Sequence, residues 1–315
     1  MYKDWLHLNI LDHKSGSVGL INCSLHGSPD DPRSRAIGTA LVHVPGVGWV
    51  GNIGIGALSQ AAIGRASISL KQMALSVHQP SGALAASVND PENSLTVRVA
   101  GTAVASPIVV EERLSLGSGW ISWYALPRLT LTGEWIIGNE RTDLRTASAY
   151  HDHNWGRWHW GDDLGWEWGC FLAPMPGAAF VFSRTTDRAH RRLGIPSLEV
   201  RAGERRRTFV GASVQLKYGG VLEATMRRVP GALAALHQDR AQLRLPKTLQ
   251  ISASDGIDHV DVKFTADAAA QLIMADPLVR GYSFIHEMVG EFICSGIIGD
   301  QEVSDSGLGV LEHVY

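Results

Sequence analysis

Cysteine, long apolar runs, an excess of charge of one sign and helical periodicity are all scarce in this sequence, and each shortage excludes something. The three cysteines, Cys23, Cys170 and Cys294, are far apart and form no CxxC pair. That argues against a disulfide framework or a cysteine zinc site, and it fits a reducing compartment. No apolar run reaches the roughly 18 residues of a membrane span. The opening MYKDWLHLNILDHKSG is interrupted early by charge, unlike a signal peptide. A cytoplasmic protein is expected, for which any membrane contact would be a transient one at the surface. Lys plus Arg number 28 against 31 Asp plus Glu, a formal net charge of −3. No basic footprint for nucleic acid results, and Arg205–Arg207 reads as a solvated turn or strand edge. Walker A, GxSxG and HExxH patterns are missing, so phosphate-loop, serine-hydrolase and zincin readings lack their anchors. GVGWVG (46–51) has the spacing of a dinucleotide loop, but the next acidic residue is Asp90, far beyond the place the ribose would need it.

Alternation is abundant. SVGLINCSL (17–25), IGTALVHV (37–44), SLTVRVAG (94–101), AFVFSR (179–184) and HVDVKF (259–264) carry period two, the mark of half-buried strands. Glycine, at 34 residues, punctuates them. Helix is expected only in VPGALAALHQDRAQL (229–243), opened by Pro230, and in TADAAAQLIM (265–274), capped by Thr265 or Asp267. Short strands with frequent turns predict an all-β protein of sandwiches or barrels. The polar, basic stretch 187–197 predicts a boundary between two β-domains, 1–190 and 191–315.

Chemistry-bearing residues concentrate in YHDHNWGRWHWGDDLGWEW, Tyr150 to Trp168, which holds five of the ten tryptophans. His151 and His153 would share a strand face and suggest metal, with Asp163, Glu167 or His159 as third ligand, but they also read as hydrogen-bonded core groups; no metal is expected. A tryptophan-rich core accounts for one face of the segment. It does not account for so many ionisable groups among the indoles, whose burial is costly unless they are bonded. Indole faces attract cations, a carboxyl among apolar neighbours keeps its proton, and a neighbouring His can relay it.

The combination ISWYALPRLTLTGEWIIG (121–138) and AYHDHNWG (149–156) resembles the Tyr-x-x-x-Arg, Thr-Gly and Asp-His-x-Trp-Gly pattern of the carotenoid 1,2-hydratase family. That family belongs to a lipocalin-like superfamily with the AttH proteins and several cofactor-free natural-product cyclases and Diels–Alderases. Trp5 and the closing SDSGLGVLEHV (304–314) extend the likeness to both ends. The resemblance implies two lipocalin-like (calycin) β-barrel domains with few short helices. It places Asp152, His153, Asn154 and Trp155 on the family motif, Tyr124 and Arg128 on its earlier strand and Glu312 on its late Glu. Where hydratases carry a Tyr and an Asp for proton delivery, the strand 178–184 offers Phe180 and Phe182, which argues against hydration.

The expected function is therefore cofactor-independent cyclisation or isomerisation of a hydrophobic polyene or terpenoid. Asp152 and Glu167 are the candidate acids. His153 and Asn154 would orient the acid or a substrate oxygen, and Trp155, Trp158, Trp166 and Trp168 would form the walls. A pericyclic route would need only an enforced fold of the substrate and a hydrogen bond from Arg128 or Asn154. A hydratase and a non-catalytic carrier are the alternatives. Substrate identity and oligomeric state stay open.

Overall fold

Alternation of β-branched and small residues gives strands that bury one face. In Leu95–Ala103, LTVRVAGTA, the leucine and valines are buried and Arg98 is exposed. The computed structural model describes all residues except 29, 79–80, 225, 237–243 and 277–280, and all remaining side chains except those of 110–112. The chain divides into two units, Met1–Asp162 with Asp276–Gly281, and Asp163–Ala275 with Tyr282–Tyr315.

The first unit contains β1 (Tyr2–Asp12), β2 (Ser17–His26), β3 (Arg35–Val44), β4 (Gly48–Ala57), β5 (Ala62–Gly64), β6 (Ser67–Leu70), β7 (Met73–His78), β8 (Ala83–Asp90), β9 (Leu95–Ala103), β10 (Ile108–Leu116), β11 (Gly119–Ile137), β12 (Glu140–Asp143) and β13 (Ser148–Arg157). They form one sheet in the order β4-β3-β2-β1-β13-β11-β9-β8-β7-β6-β5, with β10 and β12 on β11. The sheet curls around an aliphatic core that includes Leu6, Leu8, Ile10, Leu75, Val97, Leu126, Trp135 and Ala149. GVGWVG is the β3–β4 hairpin, with Gly46 and Gly48 at φ of 78° and 97°, the left-handed backbone for which glycine is suited.

The second unit contains β14 (Gly165–Leu172), β15 (Ala179–Thr186), β16 (Ser197–Ala202), β17 (Arg205–Val210), β18 (Val214–Gly219), β19 (Arg227–Val229), β20 (Thr248–Ser254), β21 (His259–Asp276), β22 (Gly281–Ile298) and β23 (Gln301–Val314). The order is β17-β16-β15-β14-β23-β22-β21-β20-β18, with β19 parallel on β21. Its core is phenylalanine-rich: Phe171, Phe180, Phe182, Phe209, Phe264 and Phe292. Each unit is a lipocalin-like β-barrel unit, and the chain is nearly all β.

Two expectations are corrected. The division falls after Asp162 rather than near 190, because β14 and β15 pair with β23 and β16 in the second sheet. TADAAAQLIM is strand, part of β21, with Ala266 and Ala268–Met274 buried. A sheet position between β20 and β22 overrides the helix propensity of its alanines. In the other expected helix only α1 (Gly231–Leu236) is seen, and 237–243 lie outside the described residues. Arg205–Arg207 do open the edge strand β17.

Candidate functional site

The motif segment Tyr150–Trp168 is cut by the division between the units. Its first part is β13, between β1 and β11. Cross-strand partners share a face. His151 stands opposite Leu8 and Leu126, and His153 opposite Leu6 and Tyr124, so both rings lie on the face of the aliphatic core. They do not act together on a cation. His151 Nδ1 donates to the His7 carbonyl at 2.8 Å, and burial pulls its ring down to about 3, so it is neutral. His153 Nε2 instead meets Asp4 Oδ1 at 2.9 Å, and Tyr2 Oη donates to the other Asp4 oxygen at 3.1 Å. The Trp155 ring lies 5.1 Å from the His153 ring and is partly accessible, as is Tyr124.

The opposite face carries Asp152 and Asn154. Asp152 is buried opposite His7, and its Oδ1 accepts from the Asn154 amide. His7 itself bonds Asn9 and Asn22, and burial lowers it to about 4. Arg128 is buried where the β11–β13 register shifts between Leu126 and Leu129; Pro127, which has no N–H to give the ladder, sits in that irregularity. Gly156 ends the motif for a steric reason: a Cβ there would stand 2.1 Å from the Trp120 carbonyl oxygen and 2.9 Å from the Trp158 ring.

Trp158 and Trp160 are fully buried, with Trp158 edge-on to Trp5 at 5.2 Å and to Trp160 at 5.9 Å. They already hold a cation. Lys3 Nζ, itself fully buried, lies 4.9 Å from one ring centre and 5.3 Å from the other. It donates to the Trp158 carbonyl at 2.5 Å and stands 3.9 Å from Asp276. Burial pulls its ammonium down to about 8, against the pull of Asp276. Asp276 also accepts from the Trp160 backbone N–H at 3.3 Å and meets His159 Nδ1 at 3.0 Å. Trp158, expected as a wall for substrate, is fully buried and packs against the Lys3 ammonium.

In the second unit, Glu167 faces the barrel interior, in register with Arg184 and His313. Its Oε2 accepts from Arg184 Nε and Nη2 at 2.9 and 2.5 Å and from Tyr218 Oη at 2.7 Å. Oε1 meets His190 Nδ1 at 2.9 Å, and His190 Nε2 donates to the Val314 carbonyl at 2.8 Å. Burial alone would raise this carboxyl, but the His190, Arg184 and Tyr218 interactions outweigh it and hold it at about 2. Glu167 is a carboxylate at neutral pH, so its expected role as an acid is corrected. Glu167, His190 and His313 bring one donor atom each within 4.8 Å of one another, the one group among the described residues that could hold a metal ion; Arg184 and Tyr218 already occupy one Glu167 oxygen. Phe180 and Phe182 are core residues with no exposure, Phe180 packing 5.8 Å from Phe292.

The other face of β14 presents Trp166 and Trp168, both partly accessible. Trp168 stands opposite Glu312 on β23, and Glu312 stands opposite Glu287 on β22. Trp166 Nε1 donates to Glu312 Oε1. Burial pushes the Glu312 carboxyl up, against the Trp166 N–H and a hydrogen bond with Glu287. This gives a carboxyl shifted toward its protonated form beside two indoles, and it remains partly accessible itself. Glu287, Asp4, Lys3 and His190 escape sequence reading, because cross-strand partners on separate strands leave no local signature; only the alternation in β22 and β23 could have put Glu287 and Glu312 on equivalent faces.

No family model matches the sequence, and no curated protein does. Among solved structures the chain is similar to an AttH-like protein from Nitrosomonas europaea, with TM-score 0.71 and 14% identity over 99% of this chain and 92% of that one. It is similar to kievitone hydratase from Nectria haematococca, with TM-score 0.66 and 14% identity over 99% and 88%. It is also similar to CghA in complex with Sch210972, with TM-score 0.64 and 9% identity over 99% and 88%. At these identities the likeness is one of fold, and it agrees with the fold that the Asp-His-x-Trp-Gly resemblance implies. No helix among the described residues is long and apolar enough to cross a membrane.

Proposed function

We propose that this chain is an enzyme that cyclises or isomerises a hydrophobic polyene or terpenoid by protonating a carbon–carbon double bond, with Glu312 as the proton donor. One observation carries the reading: a partly accessible carboxyl that bonds the Trp166 indole and stands opposite Trp168. Alkene protonation needs a neutral acid, and burial shifts Glu312 in that direction. The carbocation that follows needs electron-rich surfaces without lone pairs that would trap it, which indole faces provide. Proton transfer and carbon–carbon bond formation leave the oxidation level unchanged, so the chemistry calls for no redox cofactor. The fold neighbours support an enzymatic reading, since one of them is named a hydratase.

Within the proposal, Asp152 is the rival donor, with His153 and Asn154 beside it on β13. The test is product analysis with candidate polyenes in deuterated water, using wild type, Glu312→Gln and Asp152→Asn. Deuterium in a cyclised or isomerised product that disappears in Glu312→Gln supports the proposal. An added hydroxyl would assign a hydratase. Unlabelled cyclised product would assign a pericyclic route with Arg128 or Asn154 as hydrogen-bond donor, and tight binding without conversion a carrier. Loss of label only in Asp152→Asn would move the acid to the first unit.

A further inference from the structure

We infer that Glu287 shares one proton with Glu312, and that this carboxyl pair both donates the proton that starts the cyclisation or isomerisation and takes back the C–H proton released at its end. The inference rests on the reading of Glu312 as donor. Its basis is placement. Glu287 and Glu312 are direct cross-strand partners on β22 and β23, and their side chains are hydrogen-bonded. A carboxylate has no hydrogen to give, so a bond between two carboxyl groups needs a proton between them. Along the same face of the two strands the neighbours are aliphatic and buried: Ile285 and Val289 on one, Val310 and Val314 on the other. On β14 the facing residues are Trp166 and Trp168. Glu167, His286, His313 and Arg184 lie on the opposite, barrel-facing side, while Glu291 and Glu302, farther along the same face as Glu287 and Glu312, are exposed to solvent. The first proton of such a pair leaves readily, because the remaining one is shared. The second leaves reluctantly, because two negative charges then stand together among apolar groups.

That reluctance shapes the reaction. The Glu312 O–H bond breaks as a C–H bond forms at one alkene carbon, and its neighbour becomes cationic. The π electrons of a second double bond close a C–C bond, or the cation stays where it formed. A C–H bond beside the final cation then breaks, its electrons make a new double bond, and its proton returns to the carboxyl pair. Nothing is oxidised or reduced and no water is consumed. While the proton is away the pair carries two charges side by side, which favours uptake of the proton that the cation releases.

The test uses the full-length protein. Infrared titration reads the protonated carboxyl without any substrate. In wild type the pair's last proton leaves above the ordinary carboxyl range, and in Glu287→Gln the midpoint falls by at least one pH unit, about tenfold in proton occupancy. A structural role for Glu287 would leave that midpoint in place, and an unmoved midpoint overturns the shared proton. Geranylgeraniol in detergent micelles and deuterated water is the second probe. An isomeric product carrying one deuterium and no hydroxyl beyond the probe's own is expected, and a product with a second hydroxyl overturns the proposed loss of a C–H proton. Glu287→Met, which matches the side chain in length, repeats the titration if the glutamine variant folds poorly. Unchanged deuterium incorporation in Glu312→Gln would overturn the donor reading itself and leave the shared proton standing, so the two failures are distinguishable.

Discussion

The two ends of one short segment put tryptophan to opposite uses. Trp158 and Trp160, in the first unit, close around the ammonium of Lys3, and all three side chains are fully buried. Trp166 and Trp168, in the second, flank a carboxyl that burial pushes toward its protonated form, and all three stay partly accessible. Both clusters bring indoles against ionisable groups. The first already holds a cation of the chain's own. The second offers what an external alkene requires. The difference lies in the sign of the group and in its accessibility, and neither can be read from tryptophan spacing.

The sharpest way to break the comparison is to neutralise each ionisable group. Glu312→Gln removes the donor while keeping its shape, and turnover of a polyene substrate should fall by about 10²–10⁴-fold, the usual worth of a positioned acid, with the melting temperature nearly unchanged. Equal turnover in variant and wild type would dissolve the distinction. Lys3→Ala should do the reverse. It leaves Asp276 buried without its ammonium, and loss of one partner from a buried pair costs about 3 kcal/mol or more, visible in a denaturant titration, while the Glu312 carboxyl titrates as before.

Acid sharpens the contrast further. His26, beside Trp160, is lowered to about 3 by burial, with the Lys3 charge adding to it. The unfolded chain binds that proton below about 6.5, whereas the folded chain resists until about 3. The stabilising difference is therefore fully present above pH 6.5 and is lost as pH falls, by about 1.4 kcal/mol per unit for this one group. His26→Gln should flatten the acid limb of the stability curve by that amount, and an unaltered limb would show that His26 is already protonated in the folded protein. Trp166→Phe should have the smallest effect. The lost N–H favoured the charged form of Glu312, so its removal should move the carboxyl midpoint upward by less than one unit, about 1 kcal/mol for a single hydrogen bond. A downward move would reverse the assigned sign.

Strand content was legible because period two survives in nearly every buried strand, and the Asp-His-x-Trp-Gly element led to the lipocalin-like fold. The helix expected at 265–274 was misread because alanine has high helix propensity, while burial on both faces of β21 erases alternation. The domain boundary was misread because Arg188–Arg192, a polar loop, looks like a linker although strands on both sides of it pair in one sheet. For the site, proximity in sequence misled. Glu167 lies beside Trp166 and Trp168 in the chain, but alternation turns it to the other face, toward Arg184, where its carboxyl ionises. Glu312 was singled out through the resemblance, whereas its cross-strand partner Glu287 lies on a neighbouring strand where no local pattern marks it.

The central claim is that the carboxyl beside Trp166 and Trp168 holds a proton at neutral pH. An infrared difference spectrum between wild type and Glu312→Gln at pH 7 reads that proton directly. The account predicts a protonated-carboxyl band in wild type that is missing from the variant. A difference spectrum showing only an ionised carboxylate would contradict it.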